Sequence, residues 1–145
     1  YNYYSPLGKS VVPPNKSVRV GLSDAWDKFL HEYSKWMLQR VGLAQSIINN
    51  PKILFLDEPT SGIDPLARRA FWRQITALAS SGTTIIITTH FMEEAEYCDR
   101  IMIQDQGKML VIGTPDEVRK NTGEDTKTMN QAFIKIIEQN RLINE

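Results

Sequence analysis

The alternation of helical and extended patterns through the middle of the chain predicts an α/β fold with a mostly parallel sheet. Two short apolar runs, residues 53–56 and 85–87, have the length and composition of strands buried on both faces. Between them, residues 65–80 repeat apolar side chains at three- and four-residue steps, as a helix packed on a sheet does. Both runs end in polar residues, so we expect the ligand-binding edge of the sheet there.

Composition limits the classes of protein that the chain can represent. Its 145 residues are 41% hydrophobic, and 17 basic residues balance 17 acidic ones, which excludes intrinsic disorder and argues against a dedicated DNA-binding domain. A single cysteine, Cys98, makes no intramolecular disulfide and lacks zinc-ligand partners, as in proteins of the reducing cytosol. We expect neither a membrane span nor a signal peptide, and a chain without an initiator Met reads as a fragment.

The N-terminal third reads as irregular chain followed by helix. Residues 1–23 carry three prolines and no periodicity, which predicts a linker. Asp24 caps a short helix that ends near Tyr33, and a clearer helix runs from Lys35 to Asn49, where Pro51 stops it. We group residues 24–50 as one subdomain remnant.

The rest of the chain divides into a core, residues 51–120, and a C-terminal helical segment, residues 121–145. After the strand at 53–56, the helix at 65–80 and the strand at 83–88, the pattern predicts these elements: a helix at 92–97, strands at 100–104 and 109–112 joined by a turn, and helices at 115–120 and 129–140.

Asp57, Glu58 and His90 form the candidate site, because they follow two successive strands of the predicted sheet. Adjacent carboxylates beyond a strand point in different directions, so one can hold hydrated Mg²⁺ while the other reaches a water. That division suits phosphoryl transfer. The alternative is that Asp-Glu-Pro simply ends the strand and caps the next turn.

Residues 53–65, Ile-Leu-Phe-Leu-Asp-Glu-Pro-Thr-Ser-Gly-Ile-Asp-Pro, resemble the Walker B motif and D-loop of the ATP-binding cassette (ABC) family. Thr88-Thr89-His90 stands where that family has its switch histidine. The resemblance extends over about residues 18–140 and includes Gly113-Thr114-Pro115 near the end. It implies a partial P-loop NTPase fold with a C-terminal β-hairpin and helices.

The resemblance also implies roles for individual residues, with ATP and Mg²⁺ as cofactors. Asp57 would hold Mg²⁺ through water, Glu58 would polarise the attacking water, and His90 would contact the γ-phosphate. Ser34 would donate to a phosphate bound on the opposite subunit, and Asp64 would lie at the dimer seam. His31 has no such context and reads as a surface residue.

The resemblance implies two partners, a second ABC ATPase subunit and an integral membrane transporter subunit. It implies no binding of nucleic acid. The protein would lie in the cytoplasm at the inner face of the membrane and would couple ATP hydrolysis to transport, with export favoured. Two alternatives stay open: a catalytically inactive regulatory or dimerisation module that pairs with a complete ATPase, and a plain structural α/β domain.

Trp36 departs from the family's signature motif. The segment reads Tyr33-Ser34-Lys35-Trp36-Met37, and many exporter-like subunits have glycine in place of the tryptophan. Glycine allows the helix N-terminus to approach a phosphate closely. The indole either fills that space or swings away and packs on the surface, for instance beside Trp26 or Phe29.

A convincing phosphate-binding loop is missing. Gly8-Lys9-Ser10 resembles the end of such a loop, but Tyr3 stands where its first glycine belongs. Pro13 and Pro14 also fall where the first turns of the required helix should be. We therefore expect only the C-terminal half of the ATPase here, inactive by itself.

Overall fold

The computed structural model describes residues 30–123 and 126–144. The predicted linker at 1–23, most of the predicted helix at 24–33 and the Gly8-Lys9-Ser10 segment lie outside this range. The chain divides into two compact units, with the boundary between Thr88 and Thr89. The division into four segments made from the sequence rests on motifs rather than compactness and stays a prediction.

The first unit begins with a single 3₁₀ turn, Leu30–Glu32, and helix α1, Lys35–Ser46. Ser34 caps α1 by accepting a hydrogen bond from the Met37 N–H at 3.2 Å. The helix ends three residues before the predicted Asn49. Asn50 has a positive φ of 46°, and Pro51 disfavours helical backbone at the residue before it.

Strand β1, Ile53–Asp57, helix α2, Pro65–Ser80, and strand β2, Thr84–Thr88, form a βαβ unit. The two strands pair in parallel from Ile53 opposite Thr84 to Asp57 opposite Thr88, and α2 contacts β2. Gly82, with a φ of 100°, follows the last turn of α2 and lets the chain reverse there. All three elements match the sequence prediction closely.

One expectation about this sheet is wrong: its strands are not buried on both faces. Side chains alternate between the faces of a strand, and in the described part of the chain only one face is covered. Leu54 is buried, whereas Phe55 is 71% exposed and its cross-strand partner Ile86 is 47% exposed.

The second unit contains a 3₁₀ helix, two antiparallel strands and two helices. The predicted helix at Met92–Tyr97 is a 3₁₀ helix, because its backbone bonds join residues three apart, as from the Glu94 N–H to the Phe91 carbonyl. Strands β3, Ile101–Asp105, and β4, Lys108–Gly113, form a hairpin. Gln106 and Gly107 both have positive φ, as a tight two-residue hairpin turn requires.

Helices α3, Pro115–Asn121, and α4, Met129–Asn144, complete the second unit. Thr114 and Glu117 form a reciprocal capping box at the start of α3, and hydrogen bonds from the Thr114 backbone and side chain lower the pKa of Glu117. The core of this unit consists of five buried residues: Ile103, Val118, Met129, Ala132 and Ile136. The described strands thus form one parallel and one antiparallel pair.

Candidate functional site

Asp57 and Glu58 leave β1 directly beside the end of β2. The Thr88 hydroxyl donates a short hydrogen bond to Asp57 Oδ1. The Glu58 N–H points at the same residue and lies 3.1 Å from both the Thr88 carbonyl oxygen and its Oγ1. All three residues are exposed. The structure therefore brings the two predicted residues to one sheet edge, and Thr88 of the neighbouring strand holds the Asp57 carboxylate and the Glu58 backbone.

Glu58 has left-handed backbone, with a φ of 41°. A side chain at positive φ is uncommon outside Asn, Asp and Gly and costs on the order of 1 kcal/mol or more. Here the conformation turns the chain out of the strand into a bend, which the Ser61 N–H closes on the Glu58 carbonyl at 3.1 Å. Such strain is concentrated at functional sites, which makes Glu58 a candidate on backbone geometry alone.

The loop after β1 lies against the N-terminus of α1. A Cβ added to Gly62 would collide with the amino group of Lys35, and the φ of 71° at Gly62 also favours glycine. Ser34, the cap of α1, is exposed beside Lys35. Lys35 was not a candidate site residue from the sequence, and only the fold brings its amino group to the loop.

Asp64 has a clear local task at the other end of this loop. Its Oδ1 accepts hydrogen bonds from the Leu66 and Ala67 N–H groups, both at 3.0 Å, which makes it the N-cap of α2. Pro65 at the first helical position completes a strong start signal. The location of Asp64 at a dimer seam stays a prediction.

Trp36 turns onto α2. Its indole meets Phe71 edge to face with ring centroids 6.2 Å apart, and the Arg40 guanidinium lies 5.2 Å from the indole centroid. Phe71 is buried, and burial lowers the pKa of Arg40. Of the two alternatives for Trp36, these contacts favour packing, here on Phe71; Trp26 and Phe29 lie outside the described residues.

His90 belongs to the second unit, where it is exposed. Its ring lies 4.1 Å from the ring of Phe91, centroid to centroid. Thr89 donates a hydrogen bond from its hydroxyl to Glu94 Oε2 at 2.6 Å. His31 is exposed in the turn Leu30–Glu32, as expected for a surface residue.

Thr88 and Glu94 were not named as site residues from the sequence. Thr88 could have been found by aligning the ends of two parallel strands, since equal strand lengths place it opposite Asp57. Glu94 stands in the acidic run Glu93-Glu94-Ala95-Glu96, and its burial has no local signal.

The described residues also limit what else the chain can hold. No three His, Cys, Asp or Glu side chains converge as a metal cluster across residues 30–123 and 126–144. None of the helices in those ranges combines the length and apolar character needed to span a bilayer.

Comparison with known proteins identifies relatives along most of the chain. Residues 37–94 match a family model described as "AAA domain, putative AbiEii toxin, Type IV TA system". The chain is 52% identical over 102 residues to the probable multidrug ABC transporter ATP-binding protein YbhF of Escherichia coli. It is 42% identical over 106 residues to the daunorubicin/doxorubicin resistance ATP-binding protein DrrA of Streptomyces peucetius.

These alignments cover 68% and 72% of the chain but only 18% and 32% of the two relatives. Among solved structures, an ATP-binding subunit of an ABC transporter superposes on 87% of the chain with a TM-score of 0.72 and 28% identity, and 52% of that structure is covered. CbiO1 of Clostridium perfringens, part of the transporter complex cbiONQ, gives 0.67 with 34% identity over 72% of the chain and 42% of that structure.

The predicted α/β class and partial P-loop NTPase fold are confirmed by these superpositions. A sequence identity of 52% over 102 residues implies common descent rather than shared architecture alone. The chain is therefore homologous to the ATP-binding subunits of ABC transporters and carries part of their ATPase fold.

Proposed function

We propose that this chain forms part of the ATP-hydrolysing subunit of an ABC-type exporter. The observation that carries the proposal is the pair of exposed residues Asp57 and Glu58 at the end of two parallel strands, where Thr88 holds the Asp57 carboxylate and the Glu58 backbone N–H. Ligands of such sheets bind at this edge. Homology to ATP-binding subunits supports ATP as the ligand.

Asp57 is the residue that would hold Mg²⁺. Asp57 would hold the ion through its hydration shell, and the hydrogen bond from the Thr88 hydroxyl orients the carboxylate towards that role. Mg²⁺ takes most of its ligands from water and substrate phosphates. When bound, the ion neutralises charge on the β- and γ-phosphates.

Glu58 would polarise the attacking water, since it is exposed at the sheet edge and its backbone is fixed by Thr88. His90 would contact the γ-phosphate and stabilise the charge that develops during transfer. Both roles rest on position within the chain and on chemical type.

Ser34 and Asp64 would act across a dimer of ATPase subunits. Both are exposed helix caps, and the Lys35 amino group at the α1 start lies close to Gly62 in the loop that ends at Asp64. An integral membrane subunit would be the second partner and would hold the protein at the inner face of the membrane. The multidrug name of YbhF and the drug-resistance name of DrrA support export.

A regulatory module is the second candidate, and Trp36 is the observation that favours it. The indole stands where many exporter-like subunits have glycine, so the first turn of α1 carries a bulky residue even with the ring packed on Phe71. Such a chain could pair with a complete ATPase subunit without supporting full turnover itself.

ATP hydrolysis by this chain, joined behind a complete phosphate-binding half from a homologous subunit, tests the proposal. We expect steady-state hydrolysis that Glu58→Gln removes while ATP binding remains. A chimera that binds ATP without hydrolysing it, yet pairs with a complete subunit in the presence of ATP, would favour the regulatory module. The chain by itself is expected to bind Mg-ATP no more tightly than a dissociation constant of about 100 μM, or roughly −5.5 kcal/mol.

A further inference from the structure

Glu94 is a buried carboxyl group for which the proposed chemistry has no use. It is 1% exposed, although Glu93 and Glu96 on either side are exposed. Removing a carboxyl group from water is costly unless hydrogen bonds replace the lost hydration. Its position therefore requires a structural or functional gain.

Hydrogen bonds of Glu94 and Thr89 lie on both sides of His90 in the chain. Thr89 donates from its hydroxyl to Glu94 Oε2 at 2.6 Å, which is at the short end for a hydroxyl donor. The same hydroxyl accepts the Phe91 N–H at 3.0 Å, and the Glu94 N–H donates to the Phe91 carbonyl at 3.0 Å. These three hydrogen bonds, which we call the Thr89–Glu94 clamp, tie the residues on both sides of His90.

The clamp leaves the imidazole itself accessible. His90 is exposed, and its ring lies against that of Phe91 at a centroid distance of 4.1 Å and an interplanar angle of 37°. Fixing the backbone on both sides of an exposed side chain reduces the number of directions in which it can point. Preorganised groups stabilise developing charge better than mobile ones.

We propose that Glu94, acting through the Thr89 hydroxyl, is a positioning residue for His90. The inference rests on the phosphate-contacting role of His90 given under Proposed function, and it adds the groups that hold that side chain in place. Glu94 touches no reacting atom in this scheme; it holds Thr89, and Thr89 holds the Phe91 amide.

Nuclear magnetic resonance of the imidazole groups tests the clamp without any nucleotide. The chain has two histidines, so the Cε1–Hε1 correlation spectrum contains two signals, and His90→Gln assigns them. We expect Thr89→Val to move the His90 signal towards that of an unstructured histidine, because the ring is released from the face of Phe91. The Phe91 amide should exchange with solvent about tenfold faster after the loss of one hydrogen bond.

Matched variants separate the clamp from general damage. Thr89→Ser keeps the hydroxyl and should restore the His90 signal and the Phe91 exchange rate. Glu94→Gln keeps an acceptor oxygen, and both of its measurements should lie near those of the parent. Thr83→Val makes the same chemical change at the start of β2, where the hydroxyl bonds to Pro51, and should leave His90 unchanged. Glu94→Ala removes the acceptor and should act as Thr89→Val does. If it fails to fold, the comparison of Thr89→Val with Thr89→Ser still decides the question.

An unchanged His90 signal and Phe91 exchange rate in Thr89→Val would overturn the proposal. Hydrolysis assays of the chimera test the underlying function separately. There Thr89→Val should lower kcat about tenfold with KM for ATP unchanged, and Thr89→Ser should restore it. A released His90 signal, combined with no effect of His90→Ala on hydrolysis, would refute the role of His90 in catalysis and not the clamp.

Discussion

The chain leaves its two parallel strands in different ways. After β1, the exposed residues Asp57 and Glu58 are held by Thr88 of the neighbouring strand, thirty or more residues away in sequence. After β2, the exposed His90 is held by Thr89 and Glu94, which are close to it in sequence. The first exit depends on strand pairing, and the second depends on a local side-chain clamp.

This difference teaches where each exit can be perturbed. The loop after β1 also lies close to the start of α1, where the Lys35 amino group approaches Gly62, so we expect changes there to reach the helices of the first unit. The β2 exit can be loosened by removing one hydroxyl, that of Thr89, without changing a residue of either strand. We therefore expect changes at the β1 exit to affect both stability and ATP hydrolysis, and the loss of the Thr89 hydroxyl at the β2 exit to affect hydrolysis with little change in stability.

The largest expected effect is on turnover at the β1 exit. In the chimera with a complete phosphate-binding half, Glu58→Gln should lower the steady-state ATPase rate by about 10² to 10⁴, since the amide keeps the shape but not the basicity. His90→Ala should do likewise. Glu138→Gln, an exposed change on α4, serves as the control and should keep the parent rate. If the Glu58 and His90 variants also hydrolyse ATP within about threefold of the parent rate, these two residues are structural.

Packing of Trp36 on α2 should have the next largest effect. Trp36→Gly removes the edge contact with Phe71 and the stacking of Arg40, so we expect a loss of about 2 to 4 kcal/mol in the free energy of unfolding. The thermal midpoint measures it. Trp36→Phe should retain most of the stability, and Trp36→Ala separates packing from the helix propensity of glycine.

If the Gly variant in the chimera instead hydrolyses ATP faster and keeps its thermal midpoint, the indole obstructs phosphate approach. The packing interpretation of Trp36 would then be wrong.

The cap at the end of the β1 loop should contribute a smaller amount. Asp64→Ala leaves the Leu66 and Ala67 N–H groups without their side-chain acceptor, which should cost about 1 kcal/mol of unfolding free energy. Asp64→Ser supplies another good cap and should recover most of it. Urea unfolding of the three proteins gives the comparison, and an unchanged midpoint for Asp64→Ala would show that the cap is dispensable.

The smallest effect concerns the thiol of Cys98, the residue that follows the 3₁₀ helix Met92–Tyr97. Burial, and then the charges of Asp99 and Glu94, raise its pKa. The folded state therefore binds the thiol proton more tightly than the unfolded state does. The stabilisation is fully present below the pKa of the unfolded thiol and is lost as pH rises towards the folded value.

Alkylation by iodoacetamide measures this shift, because Cys98 is the single cysteine of the chain. We expect the rate in the folded protein to rise at higher pH than in urea. Glu94→Gln removes one of the charges and should move the profile towards lower pH. Coincident profiles in the folded and unfolded states would contradict the burial of the thiol.

Local patterns determined much of the fold. The strands at Ile53–Asp57 and Thr84–Thr88, the helix Pro65–Ser80 with its Asp-Pro start, and the hairpin turn all follow from residues within a few positions of each other. The placement of Asp57 and Glu58 at a strand end follows likewise. Capping, turn geometry and hydrophobic period act over one or two turns of chain, so a sequence reports them directly.

Contacts between distant residues were decided only by the tertiary structure. The Thr88 hydroxyl on Asp57, the Lys35 amino group over Gly62 and the Phe71 ring beneath Trp36 each join residues from different elements. The exposed face of β1 and the burial of Glu94 were hidden for the same reason. Burial depends on which surfaces meet after the chain has folded, and no local pattern encodes that partner.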